Sequence, residues 1–162
     1  MMQPGFETPA QANPGRSSSL CRPRLPATPD TLFLDLLGRY RSHGGLASST
    51  GIALLMSRRL HASDEVLSGW IRSGEVVSLS WRGAAWMPMF QLQAVGDGPL
   101  GPRVDVQRVA EELRPVCDEL DLCGWFVEPN GWLDGRPPVA VIDENLEAVR
   151  AAARADRFVL RG

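Results

Sequence analysis

The chain has 162 residues, 44% of them hydrophobic and 22% charged, a balance that supplies a core and excludes disorder throughout. Its net charge of −2 is unevenly spread: nine arginines face six carboxylates over residues 1–95, and eight face thirteen over residues 96–162. That asymmetry points to different partners for the two halves, while the complete absence of lysine beside abundant Gly and Pro reflects a coding bias and carries no phosphate preference.

In chain order, residues 1–29 hold six prolines and Ser17-Ser18-Ser19 with few large apolar groups, so the segment is expected to be a disordered tail. Order is expected from Asp30, a candidate N-cap, through DTLFLDLLGRY, whose apolar residues at 32, 33, 36, 37 and 40 have helical spacing; Gly44-Gly45 ends it. Ser48 or Ser49 can cap a helix through TGIALLMSRRL with Ile52, Leu55, Met56 and Leu60 inward. Ser63 begins another, DEVLSGWIRS, with Asp64 and Glu65 favourably placed against the helix dipole and Val66, Leu67, Trp70 and Ile71 as its buried stripe.

After Gly74 the apolar period changes from 3.6 to 2. EVVSLSWRG and AAWMPMFQL, joined by Arg82-Gly83, read as a β-hairpin, and Pro88 confines the second strand to an edge or an early break. Two helices followed by a hairpin is the order of a helix-turn-helix with a wing, so residues 30–93 form one expected unit. Arg58, Arg59, Arg72 and Arg82 are its candidate DNA-contacting residues, set against the plainer reading of solvated arginines.

AVGDGPLGPR, residues 94–103, reads as a Gly/Pro linker, leaving residues 104–162 as a C-terminal helical unit. There VDVQRVAEEL sets Val106, Val109 and Leu113 on one side, Pro115 is expected to open a helix through VCDELDLCGWFV, and Pro129-Asn130 stops it. Pro137-Pro138 restarts a short helix. Asp143 or Asn145 leads into LEAVRAAARADRF, with Leu146, Val149, Ala153 and Phe158 as candidates for burial and Arg150, Arg154, Arg157 and Arg161 outward. The expected class is mainly α: a helical unit with a β-hairpin, then a small helical bundle.

Nothing in the sequence assembles an active site. His43 and His61 belong to no metal or nucleophile motif, the adjacent pairs Glu111-Glu112 and Asp143-Glu144 diverge on a helix, and three cysteines without C-x-x-C suggest neither a disulfide framework nor zinc. The start, MMQPGFETPA, lacks the basic and apolar regions of a secretory leader, and no apolar run is long enough to span a bilayer. The chain is therefore read as a cytoplasmic non-enzyme without cofactor, metal or membrane partner.

Two segments carry a family resemblance. Trp86-Met87-Pro88-Met89-Phe90-Gln91-Leu92 resembles the aromatic-x-Pro-x-Phe-Gln-Phe/Leu run of bacterial proteins with the Xre/MbcA/ParS-type antitoxin toxin-binding domain. Residues 125–153, WFVEPNGWLDGRPPVAVIDENLEAVRAAA, are similar to the same domain's Trp-Leu/Phe, Pro-Asn, Leu-x-Gly-x-x-Pro and Glu-x-Val-x-x-Ala series, so the resemblance covers residues 75–158. It implies an antitoxin of a type II toxin-antitoxin system that neutralises a RES-type toxin through its C-terminal helices and regulates its own operator, as a homodimer in one version. Under it Trp86, Pro88, Phe90, Gln91, Trp125, Leu133, Gly135 and Pro137 are structural, whereas Asn130, Trp132, Arg150, Arg154, Arg157 and Arg161 are the candidate toxin-binding residues. The alternative is a stand-alone DNA-binding regulator with no toxin partner.

Overall fold

The computed structural model describes residues 28–57, 63–94, 96 and 98–161. Helix α1 (Pro29–Tyr40) is capped by Thr28, whose hydroxyl accepts the Thr31 N–H at 3.2 Å, and Pro29 occupies the first turn, where its missing donor costs nothing. Asp30 is therefore not the cap but a first-turn carboxylate. A 3₁₀ turn at Arg41–His43 follows, and Gly44 and Gly45, at φ 86° and 82°, turn the chain into strand β1 (Leu46–Ser48).

Helix α2 (Ser49–Ser57) starts where the Ser48 hydroxyl accepts the Gly51 N–H, and helix α3 (Ser63–Ser73) packs against it. Ile52 and Met56 are buried as expected; Leu55 is 55% exposed, because Ile52, Ala53 and Met56 already define the inward stripe. Of the stripe expected on α3, Leu67 is buried, Trp70 and Ile71 are partly so, and Val66 is exposed. Leu60, Arg58, Arg59 and His61 lie outside the described residues.

Strands β2 (Leu79–Trp81) and β3 (Ala84–Pro88) form the expected hairpin, in the register Leu79 to Trp86 and Trp81 to Ala84. Its two turn residues, Arg82 and Gly83, both have positive φ, the twist that suits a two-residue connection. β1 adds to the other side of β3, giving the order β1-β3-β2. β3 is thus central, and the edge reading of Pro88 is corrected: Pro88 is the strand's last residue, opposite Leu46, and the chain leaves through a 3₁₀ turn at Met89–Gln91. Residues 29–88 thus run in the order α1-β1-α2-α3-β2-β3.

Residues 94–103 are more than a linker. Strand β4 (Leu92–Ala94) pairs with β5 (Leu100–Pro102), and the Arg103 N–H returns to the Gln91 carbonyl at 2.8 Å. Beyond it come α4 (Val104–Leu113), α5 (Glu119–Val127), α6 (Pro138–Val141) and α7 (Leu146–Arg161). α5 begins later than Pro115 suggests: residues 114–116 are a turn, and Asp118 caps the helix by accepting the Asp121 N–H at 2.8 Å. Asn145, rather than Asp143, heads α7 by accepting the Ala148 N–H.

One apolar cluster runs across the expected boundary. Phe33, Leu36 and Tyr40 of α1, with Val77 and Leu79, pack with Val109, Leu113, Trp125, Phe126 and Val149 of the C-terminal helices. The Tyr40 hydroxyl donates to the Cys123 carbonyl at 2.6 Å. A smaller cluster, built on Ile52, Met56, Leu67, Val76 and Met87, holds α2 and α3 to the sheet. The architecture is mainly α with two small antiparallel sheets, and no described helix is long and apolar enough to cross a membrane.

Candidate partner-binding site

The knuckle between α5 and α6 is organised by one residue on α7. Asp156, only 2% exposed, accepts the indole N–H of Trp125 at 2.7 Å and the side-chain amide of Asn130 at 2.9 Å through one carboxylate oxygen. Its other oxygen accepts the indole N–H of Trp132 at 3.0 Å. Three donors from two places in the chain converge on one buried acceptor, which is how a carboxylate is accommodated away from water.

Asn130 has a double task. Its carbonyl oxygen accepts the Trp132 N–H at 2.9 Å and starts the 3₁₀ turn Gly131–Leu133, while its amide reaches Asp156. At 1% exposure it offers nothing to a partner, so its expected role in toxin contact becomes one of holding the knuckle. Trp132 is 43% exposed: the N–H is pinned and part of the ring is left in water. Asp134 and Gly135, both left-handed at φ 56° and 79°, reverse the chain, Leu133 is buried, and Pro137 precedes Pro138 at the first position of α6.

On α7 the inward stripe is Val149, Ala152, Ala153 and Asp156. Phe158 lies off that stripe and is 82% exposed, so its expected burial is corrected: the helical continuation of Val149 and Ala153 is Asp156. Phe158 shares its outward face with Arg154 one turn before and Arg161 one turn after. The other arginines are partly committed. Arg157 bonds Glu112 of α4 at 2.7 Å, Arg154 stands 3.7 Å from the same carboxylate, and Arg150 pairs with Glu147 at 3.0 Å with its Nε buried and unpaired among the described residues. Arg161 is exposed and has no partner among the described residues.

The motif residues before the linker are structural. Gln91, buried, accepts the Val77 N–H at 2.6 Å and donates to the Val77 carbonyl at 2.7 Å, so its amide substitutes for a neighbouring strand. Phe90 packs between Tyr40 and Phe126, and Trp86 lies edge-on to Phe33 and Trp81. Of the candidate DNA-contacting residues, Arg82 is occupied: it bonds Asp30 at 2.8 Å and sits over the Trp81 ring, and with the Trp81 indole N–H it holds the Asp30 carboxyl below its usual range. Arg72 lies exposed on α3 in a shallow groove with Asp64, Glu65 and Ser68.

The two described thiols are chemically quiet. Burial, reinforced by Asp121 and Asp118, pushes the Cys117 thiol up to about 12, and full burial raises Cys123 further. Among the described residues no cluster of three His, Cys, Asp or Glu is arranged to hold a metal ion. Asp156 escaped the sequence reading although a signal existed: an acidic residue in register with Val149 and Ala153 on an otherwise small, apolar stripe. No family model matches the chain, and comparison with curated proteins and with solved structures finds no match.

Proposed function

We propose that the chain is an antitoxin-like protein that captures and neutralises a partner toxin, of the RES type, through the outward face of α7 and the neighbouring knuckle. The observation that carries this reading is Phe158, a large aromatic left 82% in water on the last helix and flanked by Arg154 and Arg161. An exposed aromatic ringed by arginine has the composition of an interface anchor. Trp132 supplies a second apolar surface, held in place by Asp156 rather than free to swing.

The test is co-expression with the product of the adjacent gene. Phe158→Asp and Arg161→Glu, which leave the buried stripe intact, are expected to abolish co-purification and restore toxicity; unchanged capture by both variants defeats the proposal. Deleting the chain after Asn145 is a poor substitute, because it removes Val149, Ala152, Ala153 and Asp156 from the core. A DNA-binding regulator has the wing topology in its favour, but topology does not fix function. The exposed face of α3 opens with Asp64 and Glu65, which repel phosphate.

A further inference from the structure

We infer that the cavity where α3, the entry to β2 and the start of α5 meet binds a free aliphatic α-amino acid as its zwitterion. The cavity measures about 190 Å³, below the roughly 300–1,000 Å³ of pockets that take drug-sized ligands, and it suits a molecule of amino-acid size. Ile71 of α3, Val76 and Leu122 of α5 form its apolar wall; Val76 and Leu122 are buried and Ile71 is partly so. Arg114 brings one positive charge to the lining, and Asp118 and Glu119 bring two negative ones. These opposite charges line one cavity without forming an ion pair, with one another or with any other described residue.

Each charge is held in place by backbone groups. Arg114, at the end of α4, donates through Nη2 to the carbonyls of Gly74 at 2.7 Å and Val76 at 3.0 Å. Gly74, at φ 75°, lets the guanidinium lie close: a Cβ there would stand 3.4 Å from its central carbon. Asp118 accepts the Asp121 N–H through Oδ1 and Glu119 accepts the Ser80 N–H through Oε2, so Oδ2 of the one and Oε1 of the other keep no partner among the described residues. The Nε and Nη1 donors of Arg114 are likewise without an acceptor among them. A fixed guanidinium and fixed carboxylates on one cavity are complementary to a carboxylate and an ammonium carried by one small molecule. An α-amino acid carries both on a single carbon, and an aliphatic side chain is the part that Ile71, Val76 and Leu122 can cover. The two carboxylates disfavour a phosphate or other polyanion, and Arg114 disfavours a simple cation.

This inference uses no residue of α7 and does not rest on partner capture. The three charged residues are open to solvent on one side, so binding is expected to be weak, with a Kd of about 1 mM. The test is a titration of the full chain with L-leucine, followed by amide chemical shifts in nuclear magnetic resonance. The amides of Val76, Ser78, Asp118 and Glu119 are expected to move together and to saturate. Leucinamide, which lacks the carboxylate, and 4-methylpentanoate, which lacks the ammonium, should each bind at least about tenfold more weakly. Asp118→Asn keeps a helix cap and Glu119→Gln keeps an acceptor for Ser80; the two together are expected to weaken leucine binding at least about fivefold. Arg114→Gln should erase the preference for leucine over leucinamide, an effect that a merely structural role would not produce. Circular dichroism confirms that each variant is folded. Amides that stay still up to about 20 mM leucine overturn the inference. So does a leucine response indifferent to the paired Asp118→Asn and Glu119→Gln changes, or equal binding of either analogue.

Discussion

Replacing Asp156 with alanine would strip the indole N–H groups of Trp125 and Trp132 and the amide of Asn130 of their common acceptor. With Trp125 and Asn130 both buried, the expected loss is about 3 kcal/mol or more, read by urea unfolding, and the Trp132 ring should become mobile in fluorescence anisotropy. Phe158→Asp, by contrast, should change stability by less than about 0.5 kcal/mol, because the ring it removes is already in water. A third expectation concerns the thiols. In a Cys21→Ser background, Cys123 should react with a thiol reagent at pH 8 only as fast as the protein opens, and the half-buried Cys117 should react far more slowly than a free thiol because it is held protonated; rapid labelling of both in the native protein would contradict this.

At the scale of elements, three ion-paired carboxylates tie neighbouring segments together. Arg82 and Trp81 hold Asp30 of α1 down, Arg136 does the same for Glu144, and at Asp105 burial works upward but the bond and charge of Arg103 outweigh it. Arg103 also reaches Asp143, so one guanidinium joins the end of β5, α4 and the approach to α7. Each folded pKa lies below its unfolded value. The stability they add is therefore fully present above about pH 4 and is lost as the pH falls through the folded values. An acid titration followed by near-ultraviolet circular dichroism should show tertiary signal falling only below that point, and Arg103→Gln should move the midpoint upward.

The elements legible in the sequence were those with long apolar periods or local punctuation: α1, α4, the β2–β3 hairpin with its Arg82-Gly83 turn, and α6 after its two prolines. β1 was not, because three residues give no alternation to read and the strand exists only through its pairing with β3. The start of α5 is not legible from Pro115, which is as compatible with a turn as with a first helical turn, whereas Asp118 provides the cap that decides. At the site, Trp132 and the α7 arginines were visible as residue types, but the bonds joining Asn130 and both tryptophans to Asp156 depend on a long-range meeting of α5, the knuckle and α7.

For the whole molecule, what matters is that α7 serves two faces. Its inner stripe closes a core that reaches back to Phe33 and Tyr40 of α1, so the C-terminal helices are braced by the N-terminal half across the β4–β5 hairpin. Its outer face is left with Phe158 between two arginines. Binding and folding are therefore expected to be separable at position 158 and inseparable at 156. The most direct measurement is site-specific photo-crosslinking in cells that co-express the adjacent gene product, with benzoylphenylalanine in place of Phe158 and, as the control, of Leu55, which is also exposed but lies on α2. A covalent adduct with the partner from position 158 and none from position 55 is the predicted result; an adduct from position 55 alone, or from neither while the partner still co-purifies, would contradict the assignment of α7 as the binding surface.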